Sequence, residues 1–216
     1  MKRCHFALLL ACAVQAPAVL AGSLTDVSVT GLITPAACVP SLSGDGSFEY
    51  GKIGSIELHP VHRTQFVSAR QRLSITCPAP TRFALRGVDG RAGSAQWPVR
   101  DRHFGLGLHG TQKVGTYFVL FKSEGLTLDG STQVARLRSA DNGASWQLVP
   151  TADSPLPNDG GAGLIGFATV GSLEPSAARS LNALIEVDMH LAPGESLTLT
   201  DEVPIDGAAT LEVAYL

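Results

Sequence analysis

The stretch Gln65-Phe66-Val67-Ser68-Ala69-Arg70-Gln71-Arg72-Leu73-Ser74-Ile75-Thr76-Cys77 decides the fold class. Leu73, Ile75 and Cys77 recur in strict period two, with Ser74 and Thr76 between them. That spacing puts the apolar side chains on one face of a β-strand and the polar ones on the other. Outward from it the same signal repeats. Residues 82–88 alternate Phe83 and Leu85 with Ala84 and Arg86. Residues 103–109, 114–122, 133–138, 145–149, 163–170, 183–191, 196–200 and 210–216 are further strand candidates. Upstream, residues 48–56 read as a short strand pair around Gly51 and Gly54, and residues 26–34 as an alternating strand. Gly, Pro, Asn and Asp clusters separate these runs, and the 155–163 stretch is a loop inside the domain. Only residues 175–184 suit a helix, of one short turn. Many short strands at regular spacing predict an all-β sandwich or barrel.

The composition fits that architecture. Hydrophobic residues make up 44% of the 216, enough for a packed core, so wholesale disorder is excluded. Charged residues are only 16% and the net charge is −3. Without clustered Lys and Arg, nucleic acid and anionic membrane surfaces are poor partners.

Lys2 and Arg3 form a short positive region, residues 6–14 are apolar, and Val19-Leu20-Ala21 places small or modest side chains before Gly22. This reads as a cleaved secretory signal at residues 1–21, too short for a membrane span, and no later stretch is long enough either. A rival reading takes Leu9-Leu10-Ala11-Cys12 as a lipoprotein cleavage box, which leaves a very short signal. Cleavage after Ala21 removes Cys4 and Cys12 and leaves Cys38 and Cys77 in an exported chain. In an oxidising compartment one disulfide between them is expected. It closes a separation of 39 residues, worth roughly 4 kcal/mol if it acts by restricting the unfolded chain. No spacing of His or further Cys supports a metal site or a catalytic thiol.

Motifs for chemistry are scarce. There is no Gly-x-Ser-x-Gly, no phosphate loop and no His-Glu-x-x-His. His59 and His62 flank a Pro-Val turn and read as solvent-exposed loop residues rather than ligands. No enzyme activity, cofactor or metal is expected. One motif stands out, Ser139-Ala140-Asp141-Asn142-Gly143-Ala144-Ser145-Trp146. It resembles the Asp-box, the hairpin turn of sialidase propellers. Asp141 can accept backbone N–H groups within the turn, Gly143 can take positive φ, and Trp146 can pack beneath the hairpin. A propeller repeats the box in each blade, and here it occurs once. The motif therefore predicts a structural hairpin joining residues 133–138 to 145–149 and nothing catalytic.

The two ends say more. Val27-Ser28-Val29-Thr30-Gly31-Leu32-Ile33 leads toward Cys38. Apolar alternation with an in-phase glycine suits a strand that enters a narrow groove. The C-terminus, Ala209-Thr210-Leu211-Glu212-Val213-Ala214-Tyr215-Leu216, places Leu211, Val213 and Tyr215 on one strand face. Periodicity alone also permits two ordinary terminal strands of a closed sandwich.

With the alternating extension five residues ahead of the first cysteine, the second cysteine ending Leu73–Cys77, the segments Thr34-Pro35-Ala36-Ala37-Cys38 and Tyr50-Gly51-Lys52-Ile53, and the penultimate Tyr215, the chain resembles the chaperone–usher pilins of Gram-negative bacteria. The likeness is to the branch of fimbrial-like secreted proteins that includes β-fimbria subunits. Val203 stands where that family commonly has glycine, and residues 125–157 supply about a hairpin or two of extra length. The resemblance implies an immunoglobulin-like sandwich of the incomplete pilin type, completed by a donor strand. Residues 22–34 would be the donor extension, with Val27, Val29, Gly31 and Ile33 as its groove-facing positions. Residues 35–216 would be the pilin-like domain, with Leu211, Val213 and Tyr215 bordering the groove. Fully extended, residues 24–34 span about 36 Å, enough for the length of a sandwich strand. The implied partners are a periplasmic pilus chaperone, an outer-membrane usher and neighbouring fimbrial subunits, and the implied location is a cell-surface fimbria. A self-contained secreted β-sandwich that binds a glycan or another surface ligand is the alternative, and a secreted hydrolase a distant third.

Overall fold

Alternation in sequence becomes pairing in space in the computed structural model, which describes residues 27–31, 37–97, 101–149 and 153–216. The chain divides into two compact units, Met1–Thr34 and Pro35–Leu216. Of the first unit only residues 27–31 are described. They carry no regular secondary structure, and Val27 and Val29 are exposed. The signal at residues 1–21 and Ile33 lie outside the described residues.

The described strands of the second unit are β1 Val39–Leu42, β2 Thr64–Val67, β3 Gln71–Thr81, β4 Phe83–Asp89, β5 Phe104–Gly105, β6 Leu108–His109, β7 Gln112–Lys113, β8 Gly115–Phe121, β9 Thr127–Leu128, β10 Val134–Ser139, β11 Gln147–Leu148, β12 Ser154–Pro155, β13 Leu164–Thr169, β14 Ala178–Leu191 and β15 Ala209–Tyr215. Eight form one sheet in the order β1-β3-β14-β8-β12, with β2 and β9 also on β14 and β5 on β8. Five form a second sheet, β11-β10-β13-β4-β15, and β6 and β7 make a small ribbon. All these pairings are antiparallel.

The two large sheets share one core and pack as a β-sandwich. Leu73, Ile75, Phe121, Leu181, Ile185 and Met189 from the first meet Leu85, Ile165 and Phe167 from the second. Phe121 and Phe167 meet edge to face across the sheets, ring centroids 5.8 Å apart. Each such side chain contributes about 1.5–3 kcal/mol when fully buried. Gly87 of β4 lets Phe104 and Leu156 fill the space beside it, for a Cβ there would stand 2.5 Å from Phe104 Cζ.

The spine of the larger sheet is β14. Leu181, Ala183, Ile185, Val187, Met189 and Leu191 are buried at alternate positions. The sequence expectation of a helical turn at 175–184 is overturned here, because residues 178–184 already belong to this strand. The Ala-rich start favours a helix only locally, whereas pairing with β3 from Ala178 onward supplies backbone partners and buries Leu181 and Ala183. Glu186, one of the few buried charges, lies between these apolar positions and accepts from Lys122 Nζ at 2.9 Å and Arg70 Nε at 3.1 Å. Burial alone would push its carboxyl up, but the two cations outweigh it and hold it below the ordinary carboxylate value.

Two strand expectations also fail. Residues 48–56 form no strand; the segment is irregular, with 3₁₀ turns at Ser43–Gly46 and Ser55–Glu57 around it. Left-handed backbone at Gly44, Asp45, Gly46 and Gly51 breaks the extended run. Residues 196–200 are irregular as well, following a 3₁₀ turn at Gly194–Ser196, with only Leu197 buried.

Candidate functional site

The strand orders leave β1 at one edge of the larger sheet and β15 at one edge of the smaller. Each has one neighbour among the described strands: β3 for β1 and β4 for β15. Leu211 lies opposite Gly87, Val213 opposite Leu85 and Tyr215 opposite Phe83. Phe83 and Leu85 face the core, so Leu211 and Val213 pack partly buried against it, and Tyr215, on the same face, is 52% exposed. They are less deeply buried than their partners, because the sandwich is open along this side.

That opening is a groove of about 1780 Å³. Pro40, Ser41 and Leu42 of β1 and Ala209 and Leu211 of β15 line its walls, and Leu73, Val119, Ile185, Val187 and Met189 lie at its floor. Its rims are the segment after β1 and the loop before β15. Phe48, Tyr50, Ile53 and Leu58 lean from the first rim onto the core, partly buried. Tyr50 Oη donates to the Val187 carbonyl at 2.8 Å, and burial pushes its phenol up to about 12. From the second rim, Gly207 sits so close to the floor that a Cβ there would stand 2.9 Å from Tyr117 Cε1. Lys52 and Glu202 form an ion pair between the rims at 2.9 Å, both side chains in solvent, where such pairs contribute little.

Just before β1 the chain is cross-linked to β3. Cys38 and Cys77 form a disulfide with Cα atoms 4.1 Å apart, a little closer than the common range. Continuing the register one step beyond Val39 opposite Thr76 sets the two cysteines face to face on neighbouring strands. The Cys38 N–H then donates to Tyr215 Oη at 2.7 Å. The penultimate tyrosine thus links the edge of the smaller sheet to the oxidised edge of the larger one.

The Asp141 motif lies elsewhere, on the outer face of the smaller sheet. It connects β10 to β11, with Leu137 opposite Leu148 and Arg138 opposite Gln147. Asp141 Oδ1 accepts from Ser139 Oγ at 2.6 Å and from the Ser145 N–H at 2.9 Å, and Oδ2 from Ser145 Oγ at 2.5 Å. The Ser139 and Ser145 hydrogen bonds hold its carboxyl down at about 2. Gly143 has φ 91° and Asn142 φ 57°, and Trp146 is half-buried over Gly166 of β13.

The structure therefore brings Leu211 to the groove lining, with Val213 and Tyr215 on the same strand but outside that lining, joins Cys38 to Cys77, and keeps Ser139, Asp141, Gly143 and Trp146 together in a turn. Val27, Val29 and Gly31 belong to the other unit. The rings of His59 and His62 lie 4.6 Å apart, tilted by 42°, in an exposed turn, where His59 Nδ1 accepts from the N–H groups of Val61 and His62. Among the described residues no group of three or more His, Cys, Asp or Glu is placed to hold a metal. The rims escaped sequence reading. Phe48 and Tyr50 show period two, but that pattern reads as a paired strand and says nothing of a rim.

The fold and site define an all-β protein with an open groove, apolar at its floor and polar at its rims, between two edge strands. Comparison with known proteins adds relatives. A family model described as a protein of unknown function, DUF1120, matches residues 27–117. The chain is 26% identical over 219 residues to the uncharacterized protein YhcF of Escherichia coli K12, covering 88% of this chain and 89% of that one. It is 35% identical over 71 residues to protein GltF of the same organism, covering 31% of this chain and 28% of the relative. Among the described residues no helix is long and apolar enough to cross a membrane. The disulfide suits an oxidising compartment outside the cytoplasm.

Proposed function

We propose that this chain is a structural subunit of a surface fimbria. It is exported to the periplasm, held by a pilus chaperone, passed to an outer-membrane usher and polymerised by donor-strand exchange, contributing to adhesion without catalysis. The observation that carries the reading is the groove between β1 and β15. An extended strand laid there would pair with the open side of β15, and its alternate side chains would cover Leu73, Val119 and Val187. The run Val27, Val29, Gly31, Ile33 supplies such a strand, with a glycine where two backbones must come close. A strand given to the next copy and a groove filled by the previous one make a head-to-tail contact, which builds a fibre rather than a closed ring.

The test is co-expression of Gly31→Trp, and separately of a deletion of residues 22–34, with the chaperone and usher. Both variants are expected to reach the chaperone and to lose SDS-resistant multimers in unheated samples. Normal ladders from either would overturn the donor role and favour a self-contained sandwich that binds a glycan or another surface ligand.

A further inference from the structure

The Asp141 hairpin lines no part of the groove, yet it touches the end of the strand that forms one wall. A Cβ built on Gly143 would stand 3.2 Å from Leu216 Cδ2, 3.6 Å from Leu164 Cδ1 and 3.6 Å from Trp146 Cζ2, so these three side chains converge beside the turn. Leu216 directly follows β15. The hairpin leaves β10 and reaches over β13 toward the far edge of the same sheet, where Leu216 lies. It is held in that position at three places. The Ser139–Asp141–Ser145 hydrogen bonds brace the turn internally. The Asn142 N–H donates to the Ala162 carbonyl at 2.8 Å. Trp146 is seated over Gly166, where a Cβ would come within 2.8 Å of its ring and of Pro175.

The last two residues are therefore gripped from both faces of the sheet. Tyr215 points inward and its hydroxyl accepts from Cys38. Leu216 is held by its N–H on the Arg82 carbonyl at 3.1 Å and by its side chain under the hairpin. An edge strand with one neighbour is the part of a sheet that opens most readily, above all at its end. A groove wall that frays loses affinity for an incoming strand, because binding must then supply the ordering.

We propose that the Ser139–Trp146 hairpin is a positioning clamp that, through Leu216, holds β15 in place to receive an extended strand of the residue 22–34 type from a second copy. The identity of that strand rests on the reading of the groove given above; the clamp itself rests on the contacts around Gly143.

The experiment uses the exported chain and a fluorescent peptide of residues 22–34. Hydrogen exchange at the Thr210, Glu212 and Ala214 amides, the positions of β15 that pair with β4, and peptide binding are measured for Asp141→Ala, Leu216→Ala and the double variant. Leu148→Ala, an exposed position on the other arm of the hairpin, is the control. Each single variant is expected to speed exchange at those amides and weaken peptide binding about tenfold, as lost preorganisation does. The double variant is expected to be little worse than either single one, because both break one path. Leu148→Ala is expected to match the unaltered chain. Because Leu216 is half-exposed, its variant keeps the test valid if Asp141→Ala folds poorly. If Asp141→Ala and Leu216→Ala lower the melting temperature but leave β15 exchange and peptide affinity unchanged, the clamp is rejected. An unaltered chain that takes up no peptide rejects the strand-acceptor reading, and the exchange data then decide the clamp alone.

Discussion

Asp141 shows how much one exposed carboxylate can organise. Its carboxyl titrates near 2, below the ordinary value of 3.8, because Ser139 and Ser145 donate to the charged form. A depressed value means that its contribution to the hairpin is complete above about pH 4 and is lost as the pH falls toward 2. Trp146 emission should accordingly hold steady down to about pH 4 and change below it, while Asp141→Asn should flatten the change in that window. An identical acid response in both proteins would detach Asp141 from the turn. Gly166 makes the complementary case. Gly166→Ala should cost about 1–3 kcal/mol in urea unfolding, since the added methyl meets the Trp146 and Pro175 rings. At this scale the sequence was readable where partners are close along the chain. Ser139, Asp141, Gly143 and Trp146 announce a turn by themselves. The Tyr215 partner could not be read, because Cys38 is 177 positions away.

At the scale of elements, period two identified β3, whose Leu73, Ile75 and Cys77 are buried while the residues between them are not. It failed where local and distant forces compete. The start of β14 carries helix-favouring alanines, and only its pairing with β3 makes it extended. Residues 48–56 have the spacing of a strand pair, but Gly51 in their middle is left-handed and three left-handed residues, Gly44, Asp45 and Gly46, precede them. The disulfide is the element-scale feature most open to measurement. Reduction, or Cys38→Ala with Cys77→Ala, should lower unfolding free energy by roughly 4 kcal/mol, read from urea melts with and without reductant. A change under about 1 kcal/mol would mean that the unfolded chain is already restricted there. Because Cys38 also donates to Tyr215, the reduced protein should additionally show faster exchange at the end of β15.

For the whole molecule, no periodicity reveals the groove, because an opening depends on which strands end up as neighbours. The order that puts β1 and β15 at facing edges is a property of the pairing network. The terminal alternations hinted at a giver and a receiver, and the structure shows an open groove beside β15. If the groove takes a strand, a peptide of residues 22–34 at a hundred times its dissociation constant should stabilise the chain by about 2.7 kcal/mol, while a scrambled peptide should not. Equal melting temperatures with both peptides would count against the groove as an acceptor.

The central position of β14 also imposes a timetable. It lies between β3 and β8, yet residue 191 is made about 70 residues after β8 ends at 121. At ordinary synthesis rates of roughly 5–20 residues per second, both flanking strands wait on the order of ten seconds for the strand that joins them. Throughout that interval Leu73, Ile75, Val119 and Phe121 lack the strand that joins β3 to β8, although Leu85, Ile165 and Phe167 of the second sheet are made before it. The larger sheet thus closes only after four of the five strands of the smaller one, β4, β10, β11 and β13, have been made.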